Sequence, residues 1–325
     1  MWTGPTGDAP GGGWSHRLRL STLRNYGIVL SFLVLFIVLS VWSDVFLTKT
    51  NMLNLLDQSA AVGIIACGGT LVIIAGGFDL SAGAIFAVAG IVAVNVANSA
   101  GTTAGIVAGV AAGVGLGLGN GILTTVGRIN SLIGTLASSI VIRGVALVIT
   151  GGFLVQATPT NFTQLGQGKF ADVNYSIWTL LGVFLFTTLL LTRTTFGRYI
   201  YASGGNAEAA RLSGVRVGVV RAITFAISGG CAGLAGVLVA SRVQTGQANA
   251  GMGIELTAIA AIVIGGTSIL GGEGAIWRSI LGVLLLAMIG NGFNLLNLDP
   301  TYQLIVQGSI ILVAVAIDAW SRKST

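Results

Sequence analysis

The sequence predicts an all-α integral membrane protein of about ten transmembrane helices, with both termini in the cytoplasm. Three observations predict it. Of 325 residues, 54% are hydrophobic and only 8% charged, with mean hydropathy +0.90, whereas a soluble domain carries about a quarter charged residues. The apolar residues form runs of about the 20 needed to cross a bilayer. The basic residues segregate to one side of those runs, as the positive-inside rule requires.

The first run, Tyr26 to Trp42, follows Arg17, Arg19 and Arg24 as a signal peptide would. It is longer than an h-region and lacks a small-residue cleavage site, so it reads as a retained helix over about 26–43 behind a cytoplasmic tail, residues 1–25. Further spans read at about 58–76, 80–98, 104–123, 131–150, 175–192, 222–241, 254–271, 276–295 and 301–319. Residues 26–320 then form one transmembrane domain and 321–325 a cytoplasmic tail. This count puts Arg17, Arg19, Arg24, Arg128, Arg193, Arg198, Arg211, Arg216, Arg221, Arg278, Arg322 and Lys323 inside. Lys49, Lys169 and Arg242 fall outside, and Arg143 lies within a span. The net charge of +6 therefore serves orientation rather than a nucleic-acid partner. The fifty glycines lack a G-X-Y period and suit close helix packing. Cys67 and Cys231 sit in apolar runs and read as buried thiols, not a disulfide.

Gly119-Asn120-Gly121 recurs as Gly290-Asn291-Gly292, and LSAGAIF (80–86) faces AGMGIEL (250–256) at nearly the same offset. The pairing relates spans two to five to spans seven to ten across an odd number of helices. It predicts an inverted repeat, a transporter signature with the path near the repeat interface. Span four carries Gly101, Gly105, Gly109, Gly113, Gly117 and Gly121, a smooth stripe for a sliding or closely packed helix.

The longest inner loop is 193–221, and within it residues 204–214 read GGNAEAARLSG. Asn206 can N-cap a short helix, Glu208 lies in the first turn where the dipole favours an acid, and Gly214 can end it. Ala209 and Ala210 would form a smooth knob with Arg211 at its edge; a plain basic loop fits equally. In GGFDLSAG (76–83), Gly76 and Gly77 break span two, while Asp79 or Ser81 can cap span three and Gly83 follows. Asp79 either satisfies backbone amides of the broken helix or contacts solute. Asn95, Asn120 and Asn291, and near the outer mouth Gln244, Gln247 and Asn249, can line a hydrated path or bond between helices. Arg143 can snorkel, pair with an acid or line a cavity. Glu255 and Arg242 lie near the outer surface, and Glu273 and Arg278 flank the inner loop between spans eight and nine. The outer segment 152–174 is the candidate for docking a partner or closing a gate; Asn161-Phe162-Thr163 has glycosylation spacing without a eukaryotic secretory context.

Glu208-Ala209-Ala210 followed by Gly214 fits the EAA-x-x-x-G pattern of the cytoplasmic loop in ABC importer permeases. GGFDLSAG resembles the GG-I-D-L-S-x-G hallmark of ribose-type sugar permeases, with Phe78 for the usual isoleucine. The runs AIAAIVIGGTSILGGEGAIWRSILGVLLL (258–286) and YQLIVQGSIILVAVAID (302–318) resemble the same family, extending the likeness over about 26–320. The resemblance implies two permease copies, a cytoplasmic ABC ATPase that carries ATP and Mg, and an extracytoplasmic sugar-binding protein. It implies a bacterial inner-membrane location, no cofactor in this chain, and a coupling helix at 204–214 centred on Asn206, Glu208, Ala209, Ala210, Arg211 and Gly214.

The chain offers no catalytic constellation. His16 is its single histidine, its acids are dispersed, and none of its three lysines sits in G-x-x-x-x-G-K-[ST]. An ion-gradient-driven secondary transporter of a small polar solute is the alternative. It fits the repeat and the broken helix but leaves the EAA-x-x-x-G loop without a purpose.

Overall fold

The computed structural model describes residues 13–299, with the backbone alone over 13–26, and after them 301–303, 305, 306, 308, 309 and 312. In chain order its helices are α1 (Gly13–Trp42), α2 (Lys49–Ile74), α3 (Ala82–Ala100), α4 (Thr102–Thr125), α5 (Ser131–Thr150), α6 (Gln164–Gln167), α7 (Tyr175–Arg193), α8 (Thr195–Gly205), α9 (Ala207–Leu212), α10 (Val217–Val243), α11 (Ile254–Ile264) and α12 (Ile276–Leu295). Among the described residues seven helices are long and apolar enough to cross a membrane: α2, α3, α4, α5, α7, α10 and α12. The chain is a mainly helical integral membrane protein.

Two expectations change. The span expected over 254–271 stops as a helix at Ile264, and 265–275 is irregular. Eleven residues rise only about 16 Å, half the hydrocarbon thickness. Gly266, Gly271 and Gly272 take positive φ there, turns that a hydropathy count passes over because Gly, Thr and Ser hardly lower it. The first helix reaches back to Gly13 through residues read as a tail. The span expected over 301–319, and the terminal tails, lie mostly outside the described residues. Two short ribbons accompany the helices without changing the all-α class. Two-residue ribbons pair β1 (Val155–Gln156) with β4 (Thr245–Gly246) and β2 (Lys169–Phe170) with β3 (Val173–Asn174), both antiparallel.

The core forms around α2, α3 and α10, whose apolar windows are 78%, 72% and 61% buried, while α4, α5 and α7 stay below 30%. The peripheral three leave large apolar side chains such as Ile140, Val148 and Phe186 exposed, as a lipid-facing or partner-facing helix does. The glycine stripe of α4 is its buried face: Gly105, Gly109, Gly113, Gly117 and Gly121 are all buried. A Cβ on Gly113 would overlap the Gly229 carbonyl of α10, and one on Gly121 would lie 2.7 Å from the Ala222 Cα. The stripe is thus a close backbone-to-backbone contact. Cys67 and Cys231 are free and buried.

Two ends of the bundle are distinct. At one, the 151–174 segment is tied down: Asn98 Oδ1 accepts from the Thr158 amide at 2.8 Å, and Ser241 Oγ from the Gly166 amide at 2.9 Å. Phe162 is fully buried beneath it. Arg242 Nη2 meets Asp57 Oδ1 at 2.6 Å, and Ser176 also donates to that oxygen. The other end carries residues 194–216.

Candidate functional site

At that second end Asn206 joins two short helices. Its amide closes α8 on the Ala202 carbonyl, and its Oδ1 accepts from the amides of Glu208 and Ala209 at 3.1 and 3.0 Å. Glu208 occupies the first turn of α9 and Arg211 the last, forming an exposed pair at 3.4 Å. Gly214 follows with φ +86°, a left-handed conformation that favours glycine. The expected knob of Ala209 and Ala210 is corrected. Successive helical residues point about 100° apart, so Ala210 packs inward, 5% exposed, while Ala209 faces out. The second outward residue is Leu212, 83% exposed, which the alanine pattern hid and a helical projection would have shown.

Behind α9, three loops meet at backbone distance. A Cβ on Gly204 would overlap the Ile74 carbonyl, and one on Gly271 would lie 2.9 Å from the Gly76 Cα. The Gly272 amide bonds the Ile74 carbonyl at 2.8 Å. Arg221, from α10, bridges the Ala75 carbonyl at 2.9 Å and the Ser203 carbonyl at 3.2 Å. Tyr201 donates to the Gly274 carbonyl at 2.8 Å, and burial pushes its phenol above the usual range. The end of α8, the end of α2 and the loop 265–275 thus form one contact.

Gly76, with φ +82°, ends α2 and opens the break that GGFDLSAG encodes. Asp79 is buried and takes three donors: the amide and hydroxyl of Ser81 on Oδ1, and Ser228 Oγ on Oδ2 at 2.8 Å. Asn120 donates to Ser81 Oγ at 2.7 Å. Ser81, the N-cap position of α3, makes no side-chain cap bond, whereas Asp79 accepts the Ser81 amide at the entrance to the helix, at 3.0 Å. The other loose amides go to α5: Phe78 to Ser131 Oγ at 3.0 Å, and Leu80 to Thr135 Oγ1 at 2.9 Å. Both acceptors escaped the sequence reading, although Ser131 and Thr135 share a helix face at i,i+4.

Asn291 bonds reciprocally with Asn51 at 2.8 and 3.1 Å. It also borders a cavity of about 200 Å³ lined in part by Gln58, Ser59, Asn294 and Gln303. Asn95 is exposed on α3.

The chain breaks a second time at 244–253. Gly246 packs on Ile91, halfway along α3, and a Cβ on Gly251 would lie 2.6 Å from the Phe86 ring. The segment descends beside α3 until α11 starts next to the first turn of α3. There the carboxylate of Glu255 lies over Gly83, where a Cβ would overlap it. Arg143 Nη1 donates to the carbonyls of Ala248 at 2.9 Å and Ala250 at 3.4 Å. The structure therefore sets Glu255 over Gly83, at the start of α3 rather than at the outer surface, and ties Arg143 to the backbone just before it, at 248–250.

The described residues thus form a glycine-interlocked helical bundle with two breaks and a capped surface helix. The profile of the family described as branched-chain amino acid transport system / permease component matches residues 51–315, and the chain belongs to that family. It is 42% identical to the ribose import permease protein RbsC of Bacillus subtilis (strain 168), over 91% of this chain and 93% of that one. It is 38% identical to RbsC of Escherichia coli (strain K12), over 89% and 92%. The L-arabinose transport system permease protein AraH of the same strain is 39% identical over 92% of each. No solved structure matches the chain.

Proposed function

We infer that this chain is the multi-pass inner-membrane permease subunit of an ATP-driven ABC importer for a sugar, ribose or arabinose being the nearest chemistry. The observation that carries it is full-length similarity to ribose and arabinose permeases. ATP hydrolysis belongs to a separate ATPase subunit, and an extracytoplasmic binding protein delivers the solute. The gradient-driven alternative is not favoured.

The finer reading assigns roles. α9 is the coupling helix, docking on the ATPase through Ala209 and Leu212 with Glu208 and Arg211 at the rim. Its end of the bundle is cytoplasmic, a side favoured by the basic residues Arg193, Arg198, Arg211, Arg216 and Arg221. Motion of α9 reaches the end of α2 through the Gly204 contact and Arg221. A second copy of the chain completes the path, and the spans number ten, in two inverted halves. The adjacency of the α3 and α11 starts supports the inverted relation. Leu212→Asp with Glu208→Lys should abolish ATPase co-purification and D-ribose uptake while the permease still reaches the membrane. Normal docking together with normal uptake would sink the coupling assignment.

A further inference from the structure

Among the described residues, Arg143 Nη2 and Glu255 Oε2 have no hydrogen-bond partner, and both atoms are shut from solvent. Arg143 lies twelve residues into the twenty of α5, about 18 Å along it, and its other nitrogen holds it to the 248–250 backbone. It therefore does not snorkel to a membrane surface. A guanidinium and a carboxylate at such depth are expensive unless their remaining hydrogen-bonding capacity is met. They flank one stretch of chain: Arg143 bonds the Ala248 and Ala250 carbonyls, and a Cβ on Gly83 would meet both the Glu255 carboxylate and the Gly251 carbonyl. Neither α3 nor α11 has a side-chain cap at its start. Glycine at 83 fits this place, because a Cβ there would lie 2.7 Å from the Gly251 carbonyl and would displace the Glu255 carboxylate.

We propose that Arg143 and Glu255 form the solute-contact station of the permease, taking a polyhydroxylated solute. Nη2 of Arg143 donates to one hydroxyl oxygen, and Oε2 of Glu255 accepts from a neighbouring hydroxyl. Opposite charges on either side suit a neutral solute bearing adjacent hydroxyls, since each hydroxyl both accepts and donates. The proposal rests on the sugar-permease reading above.

The test uses the complete complex, with its ATPase and binding protein, in proteoliposomes supplied with D-ribose or 2-deoxy-D-ribose. The variants are Arg143→Lys, Arg143→Gln and Glu255→Gln. A site built to bond a hydroxyl discriminates strongly against an analogue lacking it. The variants should assemble and keep binding-protein-stimulated ATP hydrolysis, while D-ribose uptake falls about tenfold or more. The ratio of ribose to deoxyribose uptake should fall toward that of the binding protein alone, with Arg143→Lys affected least. An unchanged ratio, or uptake that falls only in proportion to assembled complex, would overturn the proposal and leave the sugar reading standing. A wild-type complex that transports neither of these nor L-arabinose, with stimulated ATPase intact, would overturn the ribose-or-arabinose reading and the proposal with it.

Discussion

The two interruptions of the bundle, at 75–81 and at 244–253, are built alike and finished differently. Each uses glycines to turn the chain before a helix that starts inside the bundle, and each brings a carboxylate to that start. At the first, Asp79 receives three donors and α5 takes the loose amides. At the second, the carboxylate of Glu255 and one nitrogen of Arg143 are left without partners. A satisfied buried carboxylate holds a fold together, whereas an unsatisfied one carries a cost that function can justify. The comparison separates a fixture of the bundle from a place where something else is expected to bind.

That separation can be broken by experiment. Removing the Asp79 carboxylate strands Ser81, Ser228 and their neighbours, so Asp79→Ala should have the largest effect on folding. A loss of about 3 kcal/mol or more is expected, read as a lower unfolding temperature or lost folded protein in detergent. Thr135→Val keeps the shape but removes the acceptor of the Leu80 amide, which should cost about 1–2 kcal/mol in the same measurement. The Lys49–Asp172 pair at the opposite end has side chains 73% and 83% exposed. Lys49→Met should leave the unfolding temperature unchanged within error. A large shift there would mean that the 169–174 ribbon bears more weight than its burial indicates.

Much of this was legible in the sequence. Hydropathy and arginine placement located the helices, with α5 and α12 matching their expected bounds. The EAA-x-x-x-G pattern located α9, and capping preference located its Asn206 start. What stayed hidden depends on contacts between residues far apart in the chain. Asp57 read as one dispersed acid until Arg242 and Ser176 met it. Ser131 and Thr135 drew no reading at all until the broken helix gave them amides. Glu255 read as an outer-surface residue because 254–271 passed for a full span; once α11 proved to be a half-length helix, its first turn moved to the depth of Gly83.

The most direct measurement sets Asp79→Asn and Glu255→Gln side by side in the reconstituted complex, recording unfolding temperature and sugar uptake for each. The expected outcome is crossed: Asp79→Asn unfolds several degrees lower and loses uptake only with folded protein. Glu255→Gln unfolds at or above the wild-type temperature but loses uptake. A Glu255→Gln protein that unfolds early, beside an Asp79→Asn protein that folds normally, would contradict the distinction between the two breaks.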